Sequence, residues 1–401
     1  MNRGCQVSTD FERLAQFPGS GCEKYDRRAA IFGREDVLPL WVADMDFPAP
    51  DFITRALEQR LSHPAFGYVK PDQRYFDAIT HWLESQHHWK PKPDSIVPVA
   101  GVVPGMSMAI NAFTQVDEPV IIQPPVYFPF FGVVQDNARL LLQNPLVLKA
   151  GFYRINFEQL EAQAADASML LLSNPHNPGG RAWNADELAR LISICKRHDV
   201  LVVADEIHMD LTYEGVVFTP FAKVAREQGF TNWIMLTAPG KTFNTAGIGG
   251  GYAVIEDARL RKAFCKEKQR WHLNDTTVFS QIALIAAYEQ GGSWPGELMQ
   301  FIAQNRDRVE AALKDTPIDV LTAEATYLLW LDCRKLGFSD PATDPQDLGL
   351  QNFFIEQAGL GLSQGIIFGE PGRGFMRLNL ATPSRIIDQA MTQLHRALSE
   401  L

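Results

Sequence analysis

The chain has 401 residues, enough for two to three folding units or for one large α/β domain with a smaller appendage. Apolar residues at 46% and charged residues at 21% are ordinary globular values, and they exclude a disordered, collagenous or coiled-coil chain. With 37 basic against 47 acidic side chains the net charge is −10, and no local basic patch offsets it, so nucleic acid and anionic membranes are not expected partners.

Apolar runs such as Met169 to Leu172 and Val200 to Ala204 fall far short of the ~20 residues of a bilayer span, and no membrane association is expected. Met1 to Arg13 lack the apolar core of a secretory leader. Five widely spaced cysteines, Cys5, Cys22, Cys195, Cys265 and Cys333, form no C-x-x-C pair. A cytoplasmic, reducing location fits, with each cysteine a small buried or half-buried hydrophobe and no disulfide framework or metal site. His81, His87 and His88 have no ligand cluster around them and read as a solvated helix face.

Residues 1–50 are irregular around the run Trp41-Val42-Ala43-Asp44-Met45-Asp46-Phe47-Pro48. Helical spacing of apolar residues predicts helices over 51–61 and 72–88, the second carrying Phe76, Ile79, Trp82 and Leu83. A strand predicted over 95–99 enters Gly101-Val102-Val103-Pro104-Gly105, and a helix is predicted over 106–113, which makes one βα unit. The alternation continues with strands predicted at 120–123, 140–142 and 169–173 and helices at 130–137 and 157–164. Asn184 and Glu187 form a capping-box pair ahead of a helix lined by Leu188, Leu191, Ile192 and Cys195. The apolar run from Val200 to Ala204 suits a strand buried on both faces, and Asp205-Glu206 follow at its carboxyl end, where open α/β sheets bind ligands.

Two further strands, predicted over 233–236 and 251–255, flank a loop that holds Lys241. Beyond about residue 275 the pattern changes to helices over 278–288, 297–313 and 348–357 with strands over 327–332 and 375–380. This second part reads as a smaller α+β domain that also recruits the first fifty residues. The expected division is 51–290 for the large domain, and 1–50 with 291–401 for the small one.

Four features carry chemistry. Ser173-Asn174-Pro175-His176-Asn177-Pro178-Gly179-Gly180 follows a buried strand and is either a plain turn or a ligand loop. Asp205, 28 residues after Asn177, is a helix cap, an ion-pair partner or a site acid. Lys241, 36 residues later, sits among small residues, where a lysine held in a pocket loses proton affinity and becomes nucleophilic. Arg377 interrupts an alternating strand, either facing solvent or offering its fork to a carboxylate.

In this order the set resembles the pyridoxal-5′-phosphate enzymes with the aspartate aminotransferase fold, and within them the cystathionine β-lyase-like C–S lyases of MalY or PatB type. The similarity extends to the 41–47 run, Phe66-Gly67-Tyr68, Gly101 to Pro104, Pro124 to Phe130, Ala204 to His208, and Lys241-Thr242-Phe243-Asn244-x-Ala246-Gly247. It implies an α/β fold of type I with a mainly parallel sheet plus a smaller α+β domain. It further implies that Lys241 forms the Schiff base and moves protons at Cα, that Asp205 pairs with the pyridine nitrogen, and that Asn177 bonds the ring hydroxyl. Tyr127 would stack on the ring and border the substrate. Val102 and Val103 would offer N–H groups to the phosphate. Tyr68 would reach the phosphate of a neighbouring subunit, which requires a homodimer with shared active sites. Arg377 would clamp the substrate carboxylate, with Asp44 also on the substrate side. His208 either supports the cofactor or is a satisfied core residue.

The sequence departs from the pattern in places. Gly240 stands where a serine commonly precedes the lysine, with Thr237 as a replacement hydroxyl; Gly247 to Gly251 carry no arginine; and Lys24-Tyr25-Asp26 replaces Lys-Trp-Asp. The missing arginine favours a lyase over a transaminase. The expected reaction is β-elimination on cystathionine or another cysteine S-conjugate, giving pyruvate, ammonia and a thiol. An aminotransferase of the same fold and a non-catalytic regulator that binds pyridoxal phosphate are the alternatives. A nicotinamide oxidoreductase is disfavoured, because Gly247-x-Gly249-x-x-Tyr252 fails the G-x-G-x-x-G pattern at its last position.

Overall fold

A computed structural model describes residues 9–272 and 276–401; Cys5 and the rest of the first eight residues lie outside them. The large sheet is built from β1 (Ile96–Val99), β2 (Pro119–Ile122), β3 (Leu140–Gln143), β4 (Met169–Ser173), β5 (Leu201–Asp205), β6 (Trp233–Thr237) and β7 (Gly251–Val254). Their order is β1-β7-β6-β5-β4-β2-β3, with β7 antiparallel to both neighbours and the other pairs parallel. All strands but β7 therefore send their carboxyl ends to one edge.

Continuous apolar runs make this possible. Along β4 and β5, Leu170, Leu172, Val202 and Ala204 enter the core on one face, while Met169, Leu171, Leu201 and Val203 enter the core on the other. A strand with both faces covered has no polar side to show, which is why these segments lack alternation. The register sets Ser173 opposite Asp205 and Asp205 opposite Leu236, so the ends of β4, β5 and β6 lie level.

Helices α1 (Gln73–His87), α2 (Val102–Phe113) and α3 (Ala185–Arg197) flank this sheet. The capping box expected at Asn184 and Glu187 is present at the start of α3. Helix α2 begins at Val102, not at 106 as expected, because Pro104 lies in its first turn, where the missing N–H would have had no intrahelical partner. His87 corrects another expectation: it is buried at the end of α1, and its Nε2 lies 2.7 Å from Asp210 Oδ1.

A second sheet, β8 (Asp319–Val320), β9 (Leu328–Asp332), β10 (Ser363–Gln364) and β11 (Phe375–Asn379), runs in the order β8-β9-β11-β10 and is antiparallel throughout. Leu38–Pro39 pairs in parallel with Leu360–Gly361, which ties the early chain to the C-terminal part. Cys22 and Cys265 are half-buried, and Cys195 and Cys333 buried. No helix among the described residues is long and apolar enough to cross a membrane.

Close packing brings α2 down onto β6 at Gly105, where an added Cβ would lie 2.7 Å from Leu236 Cδ2. Gly105→Val should therefore destabilise the fold by about 1–3 kcal/mol, read as a lower urea midpoint. An unchanged midpoint would show that this contact is not tight.

Candidate active site

Four loops leave the carboxyl ends of β1, β4, β5 and β6 and bring Val102, Asn177, Asp205 and Lys241 to one edge of the sheet. The irregular run from Trp41 to Phe47 crosses the same region. Lys241 Nζ donates to the Ala43 carbonyl oxygen, which also accepts from Tyr327 Oη at 3.0 Å. Burial and the Arg377 guanidinium push the lysine down to about 8, against the pull of Asp44 and Asp205. A lysine in that state is neutral far more often near neutral pH than a solvated one and can act as nucleophile or base.

Asp205 ends β5 and is buried, its carboxylate accepting from Ile207 N at 3.1 Å. Burial raises its pKa to about 7, with Lys241 pulling the other way. Its neighbour Glu206 is committed to the protein: Oε1 accepts from Phe221 N at 2.8 Å and Asn174 Nδ2 at 3.1 Å. Glu206 Oε2 is buried without a partner, but of the two acids it is Asp205 that feels the charge of Lys241.

Arg377 is not a surface arginine. It is buried, donating from NH1 to Asn177 Oδ1 at 3.0 Å and from NH2 to the Trp41 carbonyl at 2.9 Å and to Ser363 Oγ at 3.2 Å. Its Nε is buried without a partner, and its guanidinium carbon lies 4.8 Å from the centre of the Phe368 ring. By taking the amide oxygen of Asn177, Arg377 leaves that side chain its NH₂ as a donor. Tyr127 follows β2, and its N–H donates to the Asn177 carbonyl at 3.0 Å.

His208 is buried but not satisfied, since Nδ1 has no hydrogen-bond partner. Burial, with Lys241 and Arg377 adding to it, depresses its pKa to about 3, so the imidazole is neutral; its ring lies edge-on, 6.1 Å from Tyr327. Asp44 is half-buried, 3.4 Å from Lys24 Nζ, and burial with nearby Asp46 pushes its pKa up against Lys24 and Lys241. Lys24 is also 2.8 Å from Asp46, which accepts from Tyr25 Oη at 3.0 Å.

Between the start of α2 and the Lys241 loop lies a cavity of about 130 Å³, lined in part by Gly101, Val102, Gly240, Lys241 and Thr245. Val103, half-buried, is not among its lining residues. Thr237 is not either: it is fully buried and its hydroxyl donates to the Glu206 carbonyl at 3.1 Å. Tyr68 is fully exposed, at 101%, in an irregular loop with exposed Phe66 and touches none of these groups within the chain.

Several residues escaped the sequence reading. Tyr327 and Ser363 carry no motif and are placed by the small sheet, where Ser363 lies opposite Arg377. Asn244 fastens the 41–47 run by accepting from Met45 N at 3.0 Å and donating to Met45 O at 3.0 Å and Phe47 O at 2.8 Å. Asn379 donates to Val42 O and Asp44 O, both at 2.6 Å. Buried Asp210 accepts from Thr242 Oγ1 at 2.6 Å and Trp82 Nε1 at 3.1 Å, besides its contact with His87, and so fixes the residue after Lys241.

A lysine of lowered proton affinity, a buried acid, a buried arginine and a helix start at the carboxyl edge of an α/β sheet define a cofactor-type site. Residues 35–394 match the family of class I and II aminotransferases, and the chain belongs to it. It is 40% identical over 394 residues to cystathionine beta-lyase PatB of Bacillus subtilis, covering 97% of this chain and 100% of that one. It is 33% identical to the protein MalY of Escherichia coli, covering 97% of this chain and 98% of MalY. Its fold is similar to cystalysin of Treponema denticola, which contains a pyridoxal 5′-phosphate cofactor, with a TM-score of 0.91, 32% identity and coverage of 98% and 99%. A PLP-bound putative aminotransferase of Clostridium difficile 630 matches with a TM-score of 0.92 and 34% identity over 97% and 99% of the two chains. The α/β fold and the family read from the motifs both hold.

Removing the Asn244 clamp should loosen the run that covers Lys241. Asn244→Ala, which forfeits three hydrogen bonds, should cost about 1–3 kcal/mol in urea unfolding and speed amide exchange at Met45. Unchanged exchange there would show that the run is held by other groups.

Proposed function

We propose that this chain binds pyridoxal 5′-phosphate and catalyses β-elimination on cysteine S-conjugates such as cystathionine, releasing pyruvate, ammonia and a thiol. The observation that carries this reading is the half-buried Lys241 of lowered proton affinity, flanked by Asp205 and by an arginine with an unmet donor. The chemistry of these groups fits the cofactor. Asp205 would keep the ring nitrogen protonated, the free NH₂ of Asn177 would donate to the ring hydroxyl oxygen, Tyr127 would lie against the ring, and the α2 N–H groups would meet the phosphate. The cofactor supplies, when bound, an aldehyde that captures the substrate amine and a ring that accepts the electron pair left at Cα.

The rest is the work of the protein. Arg377 holds the substrate carboxylate with a planar fork and so presents the Cα–H bond to Lys241. The lysine amine takes that proton. A thiol, with a pKa near ~8.5, departs from Cβ as thiolate with little acid help, so a strong general acid is not required. The neutral imidazole of His208 adds no positive charge to compete with Lys241 or Arg377. The absence of any arginine between Gly247 and Gly251 and the similarity to PatB support a lyase over a transaminase.

The same reading divides the chain into a large domain, 51–290, and a small one made from 1–50 and 291–401, with the site between them. It also pairs two chains. A fully exposed Tyr68 beside exposed Phe66 is the feature that supports a homodimer in which this loop completes the partner's site. In sedimentation the protein should run at about twice its 44.9 kDa chain mass; a monomer at micromolar concentration would contradict the shared site.

A panel of amino acids and cysteine S-conjugates, assayed in parallel for pyruvate, thiol and amino transfer, tests the reaction. Pyruvate and thiol should form in equal amounts, and Lys241→Ala should abolish both. Stoichiometric exchange with a keto acid and no thiol would assign the chain to the aminotransferases instead. Arg377→Lys should lower kcat/KM by about 10- to 100-fold, since a point charge cannot replace the fork.

A further inference from the structure

The cavity at the start of α2 has an unusual lining. Its walls are mostly backbone and small side chains, with Ile207 beside them, Lys241 the charged group among the described lining residues and no arginine. An anion held there depends on N–H groups and neutral hydroxyls. Helix α2 has twelve residues, and its N-cap, Gly101, has no side chain to occupy the free N–H groups of the first turn.

Thr245 supplies the second observation. It lines this cavity and is only 6% exposed. Its N–H donates to the Gly240 carbonyl at 3.1 Å and its carbonyl accepts from Ile248 N at 3.0 Å, so its backbone is fixed at the start of the short 3₁₀ turn Ala246–Ile248. The Thr245 hydroxyl, by contrast, takes part in no hydrogen bond among the described residues, and its oxygen is not one of the buried unpartnered atoms, as suits a group that faces the cavity. A hydroxyl that no protein group uses, on a residue otherwise enclosed, is free to donate to a ligand oxygen in the cavity.

Gly240 explains why the hydroxyl comes from this position. A Cβ added at Gly240 would lie 3.2 Å from Ala246 Cα and 3.3 Å from Ala246 N, so a serine there would press on the backbone next to Thr245. A hydroxyl cannot enter from residue 240 unless the 3₁₀ turn moves, and Thr237 spends its own on Glu206.

We propose that Thr245 is a phosphate-binding residue, its hydroxyl donating to a phosphate oxygen of the cofactor beside the first N–H groups of α2. The proposal rests on the pyridoxal phosphate reading, and the experiment separates the two. Affinities of the cofactor-free protein for pyridoxal 5′-phosphate and for pyridoxal, which lacks the phosphate, are measured by fluorescence quenching. They are compared for the natural chain, Thr245→Val and Thr245→Ser.

Thr245→Val should weaken pyridoxal 5′-phosphate binding by about 10- to 100-fold and leave pyridoxal binding unchanged, while Thr245→Ser keeps the natural affinity for both. Inorganic phosphate should compete with the cofactor in the natural chain and less well in Thr245→Val. Equal weakening of both ligands, or none, overturns the role of Thr245 but leaves the cofactor reading intact. Failure of the natural chain to prefer pyridoxal 5′-phosphate over pyridoxal overturns both. Should the valine variant not fold, Thr245→Ala carries the same expectations.

Discussion

The Ala43 carbonyl is the point on which the site turns. It accepts from both Lys241 and Tyr327, one from the loop after β6 and the other from beside β9. An ammonium withdrawn from most of its water at a sheet edge is costly, and a single carbonyl cannot replace that water. The lysine resolves this by shedding proton affinity, which is also what its chemistry needs. The surroundings that make Lys241 reactive are thus the ones that make it costly to bury.

That carbonyl can serve only if the irregular 41–47 run is held still, since it has no regular secondary structure of its own. Asn244 grips it from the large sheet, Asn379 and Arg377 from the small one. Arg377 then reaches on to Asn177, 200 positions away in sequence. Fold and site meet in these side chains: the groups that tie the 41–47 run to the two sheets also fix the guanidinium of Arg377 and the amide of Asn177. Loss of one of them is felt in both stability and reactivity, a coupling typical of groups within one hydrogen-bond network.

Much of this was legible in the sequence, for physical reasons. Strands buried on both faces have to be continuous apolar runs, so β4, β5 and β6 stood out, and residues at their carboxyl ends became site candidates at once. Strand direction leaves no such trace, and nothing in Gly251 to Val254 tells that β7 runs against its neighbours. Pro104 reads as a turn residue, yet a first-turn proline costs a helix nothing, so α2 starts four residues early. His87 reads as solvated because its acceptor, Asp210, lies 123 positions on. Thr237 and Thr245 flank the same lysine, and the chain alone does not say which hydroxyl is consumed by a backbone carbonyl. Tyr327 and Ser363 belong to the site only through the register of the small sheet.

The central claim is that burial and a neighbouring arginine lower the proton affinity of Lys241. It is tested most directly by the pH dependence of the rate at which the cofactor-free protein combines with pyridoxal, followed by absorbance. The account predicts that the rate rises with pH through a midpoint near the lysine's value of about 8. A midpoint at the ~10.4 of an ordinary solvated lysine would contradict it.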